Sequence, residues 1–247
     1  MSQTEKLYEG KAKILYTTDD PDILLTVYKD DATAFNAQKK GQITGKGAIN
    51  CQITAALYEL LESLDISTHY VDCPQPDRMR VKAVTIVPVE VVVRNIAAGS
   101  LCRQTGLPEG KVLDVPLVEY YYKSDELGDP LLTRDRIFLL DLVSDSRLAQ
   151  IEKMARKINQ HLQSFFDQCD IILVDFKLEF GIDSQQNLLL ADEISPDTCR
   201  LWDKNETDPT AKVMDKDRFR KDLGRVESAY QQVQQRVLAQ IKKNDCS

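Results

Sequence analysis

The segment from Ile171 to Gly181 contains a strict alternation of apolar and charged side chains, and it constrains the fold more than any other feature of the sequence. Because neighbouring side chains of a β-strand point to opposite faces, a strand here places one set of residues on each face. One face consists of Val174, Phe176, Leu178 and Phe180, and the other of Asp175, Lys177 and Glu179. The sequence therefore predicts a strand with one core face and one charged face.

A second apolar segment predicts a strand that runs back along the first. Residues 188–194 follow a polar turn at 183–187 and carry Asp192 and Glu193, so a hairpin brings one of these acids near Glu179. Carboxylates from two strands suit Mg²⁺, which takes one or two of them together with phosphate oxygens and water. Taken alone, the pattern favours a solvated charged sheet face over a metal site.

Further strands are predicted in the first third of the chain. Two strand-like pieces, 6–16 and 23–28, flank a turn at 19–22 and predict an antiparallel hairpin. The run from Val81 to Val93 is too apolar to alternate, which predicts a strand buried on both faces with a break at Pro88.

Apolar residues at helical spacing predict helices over 53–64, 148–166 and 219–241. Ser144 is the predicted N-cap of the second of these helices. Together the elements predict an α+β fold with antiparallel sheets and a C-terminal packing helix. We place a boundary near Pro88, which divides the chain into lobes 1–87 and 88–247.

The charge and the apolar pattern exclude several classes of protein. A net charge of −7 argues against a nucleic-acid surface, because phosphate backbones need clustered lysine and arginine. It does not argue against small phosphorylated ligands, since a few cations in a cleft can hold them. No apolar run approaches the roughly 18 to 20 residues of a membrane span, and no signal segment follows the first residues. We therefore expect a cytoplasmic protein with no membrane partner.

The histidine and cysteine content disfavours zinc and a histidine-based triad. The chain has two histidines, His69 and His161, and six cysteines without C-x-x-C spacing. We expect both histidines at the surface and the cysteines in reduced form.

Two segments contain features that favour anions. Ser195 before Pro196 is typical of a helix start with free backbone N–H groups and Arg200 one turn later, although a capped turn with a surface arginine fits equally well. In the segment 8–13, Gly10, Lys11 and Lys13 suit a hairpin that covers ATP phosphates. On that evidence alone, an edge strand protected by lysines is favoured.

A third segment, 90–100, ends a buried strand in Arg94 and then in small residues. Small residues allow a ligand to approach the backbone, and the Ser100 hydroxyl beside a guanidinium suits a phosphate monoester. A tightly packed turn explains the pattern equally well.

These segments, in this order, resemble the SAICAR synthetase family, the phosphoribosylaminoimidazole-succinocarboxamide synthases. The resemblance extends from about residue 7 to about residue 241, and its motifs are specific. They are Tyr8 to Lys13, Pro88 to Leu101, Leu173 to Gly181, Leu190 to Trp202 and Met214 to Arg220.

The resemblance implies a reaction and an architecture. Members join L-aspartate to carboxyaminoimidazole ribonucleotide (CAIR) with ATP, giving SAICAR, ADP and phosphate in purine biosynthesis. The implied fold is ATP-grasp-like, with nucleotide between two α+β lobes. The implied cofactors are ATP and Mg²⁺, and the implied partners are small molecules. We also expect a homo-oligomer, a dimer.

The resemblance also implies a role for each site residue, carried over by position. Those near ATP are Gly10, Lys11, Lys13 and Lys82; those for the phosphoribosyl group are Arg94, Ser100 and Arg200. The metal ligands are Glu179 and Asp192, and the residues near the reacting centre are Lys177, Asp175 and Asp197.

One position departs from the family pattern, and two other functions stay open. Asn36 stands where we expect an aspartate, so that an acceptor is kept but a charge is lost, and we leave it out of the site. A different ATP-grasp ligase or small-molecule kinase fits the same lobes, as does a nucleotide-binding regulatory module without catalysis. Glu179 and Asp192 favour catalysis, because a pure binding module has less need of a metal.

Overall fold

The computed structural model describes residues 5–34 and 38–245, so that Asn36 lies outside the described residues. Its strands are β1 Lys6–Glu9, β2 Lys13–Thr17, β3 Ile23–Tyr28, β4 Asp31–Ala34, β5 Lys39–Gln42, β6 Tyr70–Gln75, β7 Arg78–Lys82, β8 Thr85–Ile86, β9 Val89–Ile96, β10 Val112–Tyr122, β11 Leu131–Leu132, β12 Ile171–Ile182, β13 Leu188–Ala191 and β14 Cys199–Asp203. Its helices are α1 Lys46–Ser63, α2 Ser100–Thr105, α3 Arg134–Leu139, α4 Asp145–Gln168, α5 Asp217–Arg220 and α6 Val226–Asp245.

The first sheet contains five antiparallel strands in the order β1-β2-β3-β7-β6. The predicted hairpin is confirmed, with Leu15 of β2 opposite Thr26 of β3. The piece predicted as one strand over 6–16 divides at residues 10–12 into β1 and β2, which pair with each other. This division places Gly10 and Lys11 in a turn at the edge of the sheet.

The second sheet is organised around β12, the longest strand. The order is β11-β10-β9-β12-β13, and β8 and β14 also pair with β12. The predicted alternation is confirmed, because Val174, Phe176, Leu178 and Phe180 are each at most 1% exposed. Every strand pairing inside the described sheets is antiparallel, as the sequence predicts.

Two separate strands, β13 and β14, pair with β12, and the gap between them lies at the site. β13 pairs with residues 179–182 and β14 with residues 171–176. Several residues of β12 pair both with β13 or β14 and with β8 or β9, and a strand residue can have only one partner on each side. β13 and β14 therefore lie along one edge of β12, and β8 and β9 along the other. The chain between β13 and β14 leaves the sheet beside Lys177, whose backbone N–H donates to the Thr198 carbonyl over 2.9 Å.

The predicted apolar strand over 81–93 is divided among three strands. Val81 belongs to β7 of the first sheet, while β8 and β9 belong to the second. The break at Pro88 is confirmed, and Val89, Val91 and Val93 of β9 are fully buried. The prediction of burial on both faces is wrong, because β8 is exposed and the other face of β9 lines the cavity. The chain passes between the sheets at residues 83–84, and the division into lobes 1–87 and 88–247 stays a prediction.

Helices cover the sheets with the apolar faces that the sequence predicts. α1 packs on the first sheet and on α6, and α4 packs on β12 and β9. The N-cap prediction is confirmed, since the Ser144 side chain accepts a hydrogen bond from the Arg147 backbone N–H. No described helix is long and apolar enough to cross a membrane.

One expectation about helix boundaries is open between two alternatives, and another is wrong. Of the two alternatives for 195–198, the structure has the capped turn, because the Ser195 hydroxyl accepts from the Asp197 N–H and the chain enters β14 at Cys199 without forming a helix. The predicted helix over 219–241 is two helices, α5 and α6. Gly224 and Arg225 between them have φ angles of 67° and 51°, and this left-handed geometry ends a right-handed helix.

Candidate active site

A cavity of about 840 Å³ is lined by residues of both sheets. All but one of the predicted site residues line it, namely Gly10, Lys11, Lys13, Lys82, Arg94, Asp175, Lys177, Glu179, Asp192, Asp197 and Arg200. The exception is Ser100, whose hydroxyl accepts a hydrogen bond from Arg94 Nη2 over 2.8 Å. The structure thus brings the predicted residues together, and their individual roles stay proposals.

Lys177 lies at the centre of a cluster of carboxylates. Its ammonium donates to Glu179 Oε1, lies 3.1 Å from Asp192 Oδ2 and lies 3.3 Å from Glu90 Oε1. Burial disfavours the ammonium, but the carboxylates of Asp192 and Glu179 more than offset this effect and raise the pKa of Lys177 well above its usual value. This part of the cavity therefore binds a positive charge strongly.

Lys13 approaches the same cluster from the first sheet. Its ammonium donates to Asp192 Oδ1 and lies 3.1 Å from Glu193 Oε1 and 5.3 Å from the Tyr28 ring centroid. Burial raises the pKa of Asp192, but Lys13 and Lys177 reverse this shift and bring the pKa well below its usual value. Asp192 is therefore ionised at neutral pH and bridges the two sheets.

The guanidinium groups of Arg94 and Arg200 share one carboxylate. Arg94 Nη1 lies 2.6 Å and Arg200 Nη1 2.8 Å from Asp175 Oδ2. Glu119 accepts from Arg94 Nε over 2.7 Å, and Asp217 accepts from Arg200 Nε over 3.1 Å. Because guanidinium groups held side by side suit the oxygens of a phosphate, this corner of the cavity can hold a phosphorylated ligand.

The side chain of Asp197 is 4% exposed and contacts donors from α1, from α6 and from the residue before α5. Lys46 Nζ of α1 lies 2.9 Å from Oδ2, and the Tyr230 hydroxyl of α6 donates to Oδ1 over 2.7 Å. Lys216 Nζ lies 3.5 Å from Oδ2. Burial raises the pKa of Asp197, but Lys216 and Lys46 bring it below its usual value. The Asp197 carboxylate thus holds the ammonium groups of Lys46 and Lys216 in place.

Two of the predicted lysines lie at the cavity wall with weaker contacts. Lys11 is exposed and lies 2.6 Å from Asp125 Oδ1, which places it at the mouth. Lys82 Nζ donates to the Thr68 carbonyl over 3.4 Å. Both ammonium groups can turn toward a phosphate that enters the cavity.

Several lining residues were missed by the sequence reasoning. Lys123 lies 2.9 Å from Glu179 Oε2, and Glu90 belongs to the cluster around Lys177. Lys216 and Arg220 line the side near Asp197. The motif Met214 to Arg220 pointed at these last two, whereas Lys123 follows β10 with no local signal.

The prediction that His69 lies at the surface is wrong. Its backbone N–H donates to the Leu190 carbonyl, and its carbonyl accepts from Lys82, so the chain here is held between the two sheets. The imidazole lines the cavity and packs edge-on against the Tyr58 ring at 5.7 Å. Burial and then the charge of Lys13 lower the pKa of His69 to about 3.

The carboxylates around Lys177 fit Mg²⁺. Glu179 and Asp192 point oxygens at a single ammonium, which shows that their geometry accommodates one cation. The described residues contain no group of three or more His, Cys, Asp and Glu side chains arranged to hold a metal. Mg²⁺ needs none, because one or two carboxylates suffice when phosphate oxygens and water complete its shell.

Comparisons with known proteins agree along nearly the whole chain. The family model for SAICAR synthetase matches residues 6–237. A phosphoribosylaminoimidazole-succinocarboxamide synthase from Synechocystis sp. is 69% identical over 239 residues, which cover 97% of this chain and 90% of the relative.

Solved structures share the fold. The phosphoribosylaminoimidazole-succinocarboxamide synthase of Ehrlichia chaffeensis superposes with a TM-score of 0.91 at 42% identity, over 95% of this chain and 99% of the other. A SAICAR synthetase in complex with ADP has a TM-score of 0.89 at 43% identity, over 95% and 97% of the two chains. The family match, the identity over almost the full length and the shared fold lead to one conclusion, that this chain belongs to the SAICAR synthetase family.

Proposed function

We propose that this protein uses ATP to join L-aspartate to the carboxylate of CAIR, giving SAICAR, ADP and phosphate. The observation that carries the proposal is a single cavity with two kinds of cationic site. The guanidinium pair of Arg94 and Arg200 suits the ribonucleotide phosphate, and the lysine and carboxylate cluster around Lys177 suits phosphoryl transfer. The membership of the family supports the same reaction.

The nucleotide is assigned to the side of the cavity formed by the first sheet. Lys13 and Lys82, together with the turn at Gly10 and Lys11, would lie against its phosphates. Lys13 is the best placed of these, because it is the lysine of this sheet that reaches Asp192. A relative of this fold has been solved with ADP, which supports a nucleotide in this fold.

Glu179 and Asp192 are the residues that would hold Mg²⁺. When bound there, Mg²⁺ neutralises charge on phosphate oxygens. Lys177 and Lys13 stabilise the same charge from the protein side, since both ammonium groups lie against these carboxylates.

The chemical problem is that a carboxylate resists attack by an amine. We propose that a CAIR carboxylate oxygen first attacks the γ-phosphorus of ATP, with release of ADP, to form an acyl phosphate. The neutral amine of aspartate then attacks the activated carbonyl, and phosphate leaves with the former carboxylate oxygen. Lys177 stabilises the transferring phosphoryl group, while Asp175 and Asp197 hold the surrounding cations in place at the reacting centre.

The first test is the release of ADP from ATP by the purified protein. We expect release that requires both CAIR and L-aspartate. Release with another acceptor alone would indicate a kinase or a different ligase. Nucleotide binding without release under any of these conditions would indicate a regulatory module, and either result would reject the proposed reaction.

A second test addresses the acyl phosphate. Heavy oxygen placed in the CAIR carboxylate should appear in the inorganic phosphate, because that oxygen leaves with phosphorus. Label that stays entirely in the amide product would exclude this route while leaving the overall reaction intact.

Three properties complete the proposal. The lobes would be residues 1–87, which bind nucleotide, and 88–247, which bind metal and CAIR. The enzyme would act in the cytoplasm, because two of its proposed substrates, ATP and CAIR, are phosphorylated molecules that cross membranes poorly. Exposed Phe138, Leu139 and Leu140 at the end of α3 support a homodimer. Sedimentation velocity should then give twice the mass of one chain.

A further inference from the structure

A second cavity, of about 590 Å³, shares the segment 213–220 with the catalytic cavity. Val213, Met214 and Arg218 line the second cavity, whereas Lys216 and Arg220 line the catalytic one. No described residue lines both cavities. The volume of the second cavity is typical of a small-molecule site, since such sites enclose roughly 300 to 1,000 Å³.

Two guanidinium groups in the second cavity have no acidic partner. Arg218 is 7% exposed and donates to the carbonyls of Gly224 and Val213 over 2.7 and 2.9 Å. Arg225 is exposed, and among the described residues its side chain has no hydrogen-bond or ion-pair partner. Burial and then the charge of Arg225 lower the pKa of Arg218, because two positive charges lie close together. Two cations without a counter-ion in one cavity favour an anionic ligand.

The other charged residues that line this cavity are already engaged. Arg236 Nη2 lies 2.5 Å from Asp203 Oδ2, so this pair is neutral as a whole. Glu206 Oε1 accepts from the backbone N–H groups of Thr207 and Asp208 over 2.9 and 3.0 Å. The positive charge of Arg218 and Arg225 therefore stays uncompensated in the part of the chain that the structure describes.

The arginines differ in what they can offer a ligand. Carbonyls engage most N–H groups of Arg218, so this residue contributes its charge, whereas Arg225 has a guanidinium fork that suits phosphate oxygens. Ser228 and Gln232 line the cavity from the same face of α6, four residues apart, and a hydroxyl and an amide suit the hydroxyls of a sugar.

We propose that the second cavity is a binding site for a small phosphorylated sugar, whose phosphate binds Arg225 beside the buried charge of Arg218 and whose hydroxyls contact Ser228 and Gln232. The site does not depend on the proposed reaction, because none of its residues lines the catalytic cavity.

The test uses ribose 5-phosphate as the probe and a readout at Arg225 itself. Phenylglyoxal modifies exposed arginine side chains, and peptide mass spectrometry follows each arginine separately. Ribose 5-phosphate at about ten times its dissociation constant should slow the modification of Arg225 about tenfold, because only the empty site reacts. Arg103 on α2 is the matched control, since it is exposed and lines neither cavity, and its modification rate should not change.

Inorganic phosphate should protect Arg225 only at a concentration at least about tenfold higher, because it lacks the hydrogen bonds of the sugar. In Gln232→Leu, half-protection by ribose 5-phosphate should need about fivefold more ligand, while half-protection by phosphate stays the same. Equal potency of the two ligands in the wild type would reject a sugar phosphate as the ligand.

Two further outcomes would overturn the site. An unchanged rate at Arg225, or equal slowing at Arg225 and Arg103, would show that no ligand binds beside Arg225. Arg200→Lys alters the catalytic cavity and should leave the protection of Arg225 unchanged. Loss of protection in Arg200→Lys would assign the effect to ligand in the catalytic cavity.

Discussion

At the scale of single residues, the cations of the cavity are held by carboxylates from distant parts of the chain. Lys13 and Lys177 both contact Asp192, and Lys177 also contacts Glu179. Removing one partner of a buried pair leaves the other charge uncompensated, at a cost of about 3 to 5 kcal/mol. Substitutions here therefore change stability as well as ligand binding, and both need to be measured.

We expect Lys13→Ala to weaken ADP binding by about tenfold to a hundredfold, because a charged hydrogen bond to phosphate contributes about 1.5 to 3 kcal/mol. Lys29→Ala is the control, since Lys29 directly follows β3 and pairs with Glu9 and Asp31 but does not line the cavity. Calorimetry on variants with native circular dichroism gives the comparison. An unchanged ADP affinity in Lys13→Ala would assign this lysine to stability alone.

Glu179→Gln should lose activity that additional Mg²⁺ restores only in part, because an amide oxygen is a poorer ligand for Mg²⁺ than a carboxylate. The Mg²⁺ concentration for half-maximal ADP release should rise on the order of tenfold. Glu227→Gln, an exposed position on α6, serves as the control. Wild-type Mg²⁺ dependence in Glu179→Gln would indicate that Glu179 is part of a charged sheet face and does not bind the metal.

At the scale of elements, the site depends on where β9, β12 and β14 bring their ends together. Gly99, between β9 and α2, packs directly on Arg200 of β14. A Cβ atom at Gly99 would lie 2.5 Å from Arg200 Nη2, and the φ angle of Gly99 is 57°. The glycine is therefore needed for the approach of β14 to the segment between β9 and α2.

We expect Gly99→Ala to displace the Arg200 guanidinium and to raise KM for CAIR at least about tenfold, while KM for ATP changes little. Gly106→Ala at the other end of α2 is the matched control, since Gly106 also has a positive φ of 75° but no atom within 4 Å of an added Cβ. Both variants should lose about 1 kcal/mol of stability from backbone strain. Equal KM values for CAIR in the two variants would contradict the role of the contact.

At the scale of the whole molecule, two buried groups make opposite contributions to stability as pH changes. The pKa of His69 falls to about 3, so between pH 3 and 6.5 the unfolded chain binds a proton that the folded chain does not. This contribution lowers stability as pH falls. Burial and then Asp217 raise the pKa of Asp215 to about 7, so the folded chain binds the extra proton between pH 3.8 and 7. This contribution raises stability as pH falls.

Single substitutions should separate the two contributions. Between pH 7 and pH 5, the free energy of unfolding of His69→Gln should rise by up to about 2 kcal/mol relative to the wild type, because the destabilising proton uptake is removed. For Asp215→Asn it should fall by a similar amount, about 2 kcal/mol. Urea unfolding at several pH values measures both. Parallel curves for the wild type and either variant would show that the substituted group does not titrate differently in the folded chain.

Elements with local sequence signals could be predicted without the structure. The alternation over 174–180 specified the faces of β12, because side-chain direction in a strand depends only on position along it. The N-cap at Ser144 and the turn at 183–187 were equally local, and the structure contains both. The residues that line the cavity were found through family motifs. Apolar periodicity could not have predicted that these distant residues come together.

Tertiary structure alone decided which charges meet. Lys13 and Asp192 are 179 residues apart, and Lys46 and Asp197 are 151 residues apart. No local pattern marks such partners, so Lys46, Lys123 and the burial of His69 were missed. The break before α6 escaped prediction because Leu223 continues the apolar spacing across a left-handed turn. Side-chain periodicity indicates which faces of an element are buried. The ion pairs across the cleft instead depend on the path of the chain between β13 and β14, which only the folded structure shows.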